Sequence, residues 1–497
     1  MAHSHGWRLA DSFSSAVRPA LLGSLGAVSA AHPLAVAAGQ AALFAGGSAA
    51  DAAIAAQAVL CVLCPDACGL GGDMFALVAD RAQTLAINGA GATPQAATTF
   101  ADDGPHSVTV PGLAGGWAKL HRRWGRLPAA TVLAPAIRLA QDGHRVSPTL
   151  AAAVMAQRAR LLAHGAAAWS LLSLAAGDRL VQPELAALLR SLAHDGFDAF
   201  YTGAPAAAIA NALARQGGAM DRRDLARHVT HVGPALTVAY AGCTVAVQPP
   251  PTQGVLLGMA LKGMAACAPA DDAGSDHTAV ELTEAAFAWR DDAAHLGAAL
   301  LDQPLPIDPQ RAARRGGPRA YLHTAGVATA DADGLVVSSL VSVFDDFGSC
   351  VFVPELGITL NNRAGGFTRG ANAAAAGKRP VHTLAPALVR GPQGCLALAT
   401  PGADGQVQTL LQVIDRTLRR GQDLAGAIAA PRWRSEGAHL LIEEGHPQAA
   451  ALARRGHALA PLPPGQMRFG AVACAGLSDG TPLAVADWRR DSWAGVA

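Results

Sequence analysis

Thr324 and Ser342 carry the clearest chemical signal in this chain. Residues Thr324 to Ala330 alternate as a half-buried strand does, the pattern breaks at Asp331-Ala332-Asp333-Gly334, and it resumes from Leu335 to Val343. A hairpin with its turn centred near residue 333 sets Thr324 opposite Ser342, and opposite side chains in an antiparallel pair stand about 5 Å apart. The pairing depends on register, because a bulge at Gly334 would send one hydroxyl to the other face. A threonine on a strand also needs no function, since the residue favours strands. Its hydroxyl is a weak nucleophile until a base takes its proton.

Other residues with chemical potential read as structural. Cys61, Cys64 and Cys68 lie close together, but the first two sit in an apolar helical run and no fourth ligand follows at a usual spacing, so small buried thiols are expected and no metal. The glycines of Cys68-Gly-Leu-Gly-Gly-Asp73 do not have GxGxxG spacing and precede a strand, Met74 to Ala79, instead of opening a helix. They imply a close backbone approach to another layer. His228 and His231 lack neighbours that would complete a metal site and are expected on the surface or in the core.

Several elements must position these residues. Pro33 to Phe44 reads as a helix stopped by Gly46-Gly47, and Ser48-Ala-Ala-Asp51 has the form of a capping box opening an almost wholly apolar helix to Cys64. Such a helix must be buried. Leu85 begins a strand, Leu113 to Trp124 and Leu127 to Gln141 are helical, and Ser147-Pro148 starts a helix from Thr149 to Leu162. Tyr240 to Pro251 reads as strands, Gly254 to Ala266 as a helix and Ala268 to Ser275 as a loop. Gln303 to Ala320, rich in Pro, Gly and Arg, is expected to be a flexible lead-in to Thr324. Val407 to Arg420 is an amphipathic helix.

The stretch from Tyr321 to Phe367 resembles the start of the small subunit in the γ-glutamyltranspeptidase family, as do Val110 to Gly143, Phe200 to His228, Ala288-Trp-Arg-Asp291, Asn361-Asn362, Pro431-Arg-Trp-Arg434 and Asp487-Trp-Arg-Arg-Asp491. The likeness runs from roughly residue 18 onward. It implies a precursor that cuts itself between His323 and Thr324, giving a large subunit of residues 1–323 and a small one of 324–497 that together form one domain. Thr324 would then be the nucleophile, and its freed α-amino group, with a pKa of roughly 7.7 to 8, its base. Ser342 would orient the hydroxyl. Thr400-Pro-Gly-Ala-Asp-Gly-Gln406 takes the place of the family's oxyanion loop, with the N–H groups of Gly402 and Ala403 as donors, provided that the backbone at Ala403 accepts a Cβ.

The recognition residues depart from the transpeptidase pattern. Ala90 stands where those enzymes carry an arginine for the substrate's α-carboxylate, and a carboxylate left unpaired loses about 2 to 5 kcal/mol. Phe344 and Gly366 replace an Asn and an Asp that hold the glutamyl amino acid group, and His382-Thr383 replaces paired serines. Arg363 suits a bare carboxylate and equally suits a surface position. The set Arg363, His382, Thr383 and Pro401 to Gln406 looks like the oxamate amidohydrolase branch.

The resemblance implies an α+β fold, the four-layer αββα sandwich of N-terminal nucleophile hydrolases. It implies hydrolysis of a small carboxylate-bearing amide, oxamate to oxalate and ammonia, with no metal or organic cofactor. A γ-glutamyl hydrolase or transferase and a cephalosporin-type acylase are the alternative enzymes, and an unprocessed ligand-binding paralogue the non-enzyme alternative. Composition agrees with a large core: of 497 residues 51% are hydrophobic and 15% charged, and the net charge of +1 gives no reason to expect nucleic acid or an anionic membrane as partner. The first residues lack a basic segment leading into a long apolar run, so no signal peptide and a cytoplasmic location are expected. The expected partners are a small amide and the two pieces of the same precursor, with a higher homo-oligomer possible in principle.

Overall fold

The computed structural model describes residues 17–318 and 324–497. The His323 side of the expected cut lies outside the described residues.

Two seven-stranded antiparallel sheets pack face to face. The first runs in the order Trp493–Val496, Gly26–Ala30, Ala325–Asp331, Val336–Ser342, Asp73–Ala79, Thr84–Asn88, His231–Pro234. The second runs Leu21–Leu22, Thr481–Ala486, Ala473–Ser478, Gly394–Ala399, Ala387–Gly391, Cys243–Val247, Leu236–Tyr240. Both sheets therefore take strands from before and after Thr324. Between them lies a core of small side chains, among them Ala27, Ala86, Ala246, Ala328, Ala330, Ala397, Ala475 and Ala484. Small residues let the sheets approach closely. A Cβ on Gly326 would already meet the Ala399 carbonyl oxygen of the facing sheet at 3.2 Å.

Helices close both outer faces, which completes the αββα sandwich expected. Pro33–Phe44 and Ala49–Leu63 cover the first sheet, while Gly254–Cys267, Asp272–Phe287 and Gly405–Leu418 cover the second. The capping box is present: Ser48 Oγ accepts from the Asp51 N–H, and Asp51 Oδ2 from the Ser48 N–H. Every residue of Ala49–Leu63 is buried. Among the described residues no helix is long and apolar enough to cross a membrane.

The hairpin forms in the expected register. Ala325 pairs with Val341 and Ala330 with Val336, so Gly334, at φ +103°, turns the chain without a slip. Gly71 and Gly72 make the close approach that their cluster implied. A Cβ on Gly71 would lie 2.0 Å from the Thr359 carbonyl oxygen, and one on Gly72 2.3 Å from that of Ser342.

Two expectations need correction. The loop expected over Ala268 to Ser275 gives way at Asp271, whose carboxylate accepts from the Gly274 N–H and opens the helix Asp272–Phe287. The lead-in is anchored as far as Gly317. Glu281 and Glu284, both on that helix, accept the N–H groups of Ala313 and Arg315, and Gly317 pairs with Gly437. Proline and glycine content did not reveal this, because the partners are carboxylates some thirty residues earlier.

Candidate active site

Thr324, Ser342 and Asp73 form a row across three neighbouring strands. The Thr324 hydroxyl donates to Ser342 Oγ at 3.3 Å, and Ser342 pairs in register with Asp73. All three point to the same face, the one turned toward the second sheet, because paired residues of antiparallel strands share a face. The row lies at the end of the sandwich, where strands give way to loops. Thr324 is 5% exposed. Ser342 Oγ also accepts the Phe344 N–H at 3.0 Å. That contact helps hold Phe344 at φ +89°, a conformation L-residues rarely adopt.

Sequence reasoning missed Asp73. It is fully buried, and its Oδ2 lies 3.2 Å from Arg363 Nε and 3.1 Å from His382 Nε2. Its Oδ1 accepts the Gly112 N–H at 3.2 Å. A lone acid opening the otherwise apolar strand Asp73–Ala79 was the available signal, and the neighbouring glycines drew attention from it.

The structure brings Arg363, His382 and Thr383 together around that carboxylate, and Arg363 is buried, not on the surface. Besides Asp73, its guanidinium donates from Nη1 to Thr383 Oγ1 at 3.2 Å, and it stacks 4.5 Å from the centre of the Phe344 ring. Its Nη2 is buried with no partner among the described residues. Burial, offset by the charge and hydrogen bond of Asp73, lowers its pKa to about 10, so it remains a cation at neutral pH.

His382 is neutral there. Burial first, then the positive charge of Arg363, depress its pKa to about 4, against the pull of Asp73. Its Nδ1 accepts the Leu384 N–H at 3.2 Å, which assigns the ring proton to Nε2, facing Asp73. With one carboxylate, one guanidinium and a neutral imidazole, the cluster has no net charge at neutral pH.

Gly402 and Ala403 lie in the turn after Gly394–Ala399, immediately before the helix Gly405–Leu418. Their φ values are +124° and +47°, so Ala403 does carry its Cβ in the left-handed region. Among the described residues neither N–H has an acceptor. Two N–H donors with no protein acceptor, at the mouth of a helix, suit an oxyanion. Gln253, also missed from sequence, ties this turn to the charged cluster: its buried Nε2 donates to the carbonyl oxygens of Thr383 at 2.5 Å and Ala403 at 2.7 Å. Pro401, at the start of the turn, lines the same cavity as Thr324.

Of the positions that depart from the transpeptidase pattern, Ala90 is filled by apolar packing. Ala90 joins Phe75, Leu340, Leu384 and Ala399 in an apolar cluster.

Outside this site, Cys61 and Cys68 are buried and Cys64 partly so; a hydrogen bond with Cys61 and then burial push the Cys68 thiol pKa up. His228 stacks on Tyr201 at 4.7 Å. His277, Glu281 and His457 bring potential ligand atoms within 4.8 Å, yet the two rings hydrogen-bond each other at 2.8 Å and Glu281 already holds Ala313 and Arg315. His277 and Glu281 are thus already held by protein partners.

Comparison with known proteins adds an independent line. A family model described as Gamma-glutamyltranspeptidase matches residues 35–497. The oxamate amidohydrolase proenzyme of Klebsiella pneumoniae subsp. pneumoniae is 36% identical over 442 residues, covering 81% of this chain and 83% of its own. The acylase ACY 1 proenzyme of Pseudomonas sp. (strain SE83) is 33% identical, covering 97% of this chain and 95% of its own. Among solved structures, the cephalosporin acylase of Bacillus halodurans superposes with a TM-score of 0.86 at 28% identity, over 100% of this chain and 99% of that one.

Proposed function

Because this chain belongs to the gamma-glutamyltranspeptidase family and is an enzyme of carbon–nitrogen bond hydrolysis, we propose that it matures by cutting itself before Thr324 and hydrolyses a small amide whose acyl part bears a carboxylate, of which oxamate is the simplest. The observation that carries this reading is Arg363: a buried guanidinium, one hydrogen bond from the Asp73 end of the row that holds Thr324, with Nη2 unpaired among the described residues. A carboxylate is the group that would satisfy it. The amidohydrolase from Klebsiella, which by name acts on oxamate, supports the choice of substrate.

In the precursor, Thr324 Oγ1 attacks the carbonyl carbon of His323. The N–C bond breaks as the ester forms, and water then hydrolyses that ester, leaving Thr324 with a free α-amino group. In the mature enzyme this amine takes the Oγ1 proton while the oxygen attacks the substrate's amide carbon. The N–H groups of Gly402 and Ala403 receive the oxyanion. As the C–N bond breaks, the α-ammonium returns its proton to the leaving nitrogen. Water, deprotonated by the same amine, releases the acid. Ser342 holds the Thr324 hydroxyl on line throughout, and Arg363 holds the acyl carboxylate.

Ammonia release from oxamate by the purified, cut protein is the test. Turnover of oxamate, lost in R363M, supports the reading. Turnover of γ-glutamyl anilide in its place would move the chain to the γ-glutamyl hydrolases.

A further inference from the structure

Thr324 also lines a second space, which Arg363 does not reach. A cavity of about 130 Å³ is lined by Thr324 and Pro401, by Leu63 and Asp66 at the end of the buried helix, and by Leu150 and Met467. It opens to solvent past Thr149 and Asp491, both exposed. None of Arg363, His382 and Thr383 borders it. Thr324 thus stands between a polar cluster reached through Ser342 and a largely apolar hollow reached past the oxyanion turn.

We propose that this hollow is the leaving-group subsite, and that the chain's substrates are N-substituted amides whose departing amine carries an apolar body. The inference rests on the reading above, because the anchored carboxylate fixes which side of the scissile bond faces Arg363 and leaves the amine on the other. Size argues for a substituent. Ammonia occupies about the volume of a water, whose share of the liquid is roughly 30 Å³, whereas a cavity of roughly 150 Å³ accepts a benzene ring. The wall agrees: Leu63 and Leu150 are 6% and 2% exposed, and its carboxylates, Asp66 and Asp491, outnumber its one guanidinium, Arg490, which leaves a carboxylate for the ammonium that an alkylamine becomes once it leaves. The exposed rim gives that product a path out that does not pass the acyl-enzyme.

The experiment compares kcat/KM for oxamate and N-benzyloxamate on the mature enzyme, and in A31L and A67L, two substitutions at lining residues that narrow the hollow. The wild-type ratio should favour N-benzyloxamate by about tenfold or more, as burial of a small apolar group allows. Either substitution should cut the ratio by about tenfold. Benzylamine should inhibit the wild-type enzyme, a readout that needs no variant. Cleavage of oxamate without cleavage of N-benzyloxamate, or an unchanged ratio in both variants with no inhibition by benzylamine, overturns this inference alone. If neither oxamate is cleaved, the parent reading falls and takes the subsite assignment with it.

Discussion

One oxygen of Asp73 stands 3.1 Å from His382 Nε2 and 3.2 Å from Arg363 Nε, so a single carboxylate fixes both side chains. In D73N the buried guanidinium loses its counter-ion. Breaking one side of a buried ion pair costs about 3–5 kcal/mol. A fall in unfolding free energy of that size, seen as a lower urea midpoint, with kcat/KM lowered more than KM alone explains, is expected from urea unfolding and initial rates. An unchanged midpoint would show that Asp73 is not paired in solution.

His382 gives the site a pH dependence with a definite sign. Its folded pKa is depressed to about 4 while the unfolded value is near 6.5, so the unfolded chain binds the extra proton between those limits. Its contribution to stability is therefore complete above pH 6.5 and is lost as pH falls toward 4. Asp73, Arg363 and, at longer range, Arg290 are the charged groups that act on it. An anionic ligand at Arg363 adds negative charge beside this ring and raises its pKa. Oxalate should accordingly bind more tightly as pH falls from 6.5, with uptake of a proton visible by calorimetry in buffers of different ionisation heat. H382N should remove that uptake.

The oxyanion turn separates two outwardly similar substitutions. Gly402 at φ +124° has a backbone that a Cβ strains, so G402A should displace its N–H and cost about 10²–10³ in kcat, the size seen when one such donor is removed. Ala403 already bears that strain, and A403G should keep activity and match or exceed the parent in thermal midpoint.

The hydroxyl row makes the last prediction. T324A should remain a single uncut chain with no amide hydrolysis, visible by mass measurement and rate assay together. S342A should still be cut, but more slowly, because it removes the acceptor that aligns Thr324 and the one that holds Phe344. A T324A protein that is cut and active at the parental rate would place the reacting group elsewhere.

Local pattern made much of this molecule legible. The hairpin centre at residue 333 gave the register because alternation and an acidic turn are both short-range signals. The capping box at Ser48 and the burial of the following helix were equally local. What escaped depended on partners distant in sequence. Asp73 acquires its meaning only when Arg363 and His382 arrive some three hundred residues later. Gln253 matters because it bridges two loops that the sequence does not place side by side. The strand His231–Pro234 edges a sheet without an alternating pattern to announce it.

The interleaved strands have a consequence for how such a protein is made. Since the hairpin of Ala325–Asp331 and Val336–Ser342 is flanked by Gly26–Ala30 on one side and Asp73–Ala79 on the other, and the second sheet is likewise shared, a nick ahead of Thr324 leaves neither fragment with a complete sheet of its own. The pieces should survive dilution as a pair and come apart only in denaturant. Once separated, they face a bimolecular search that the uncut chain never had to make.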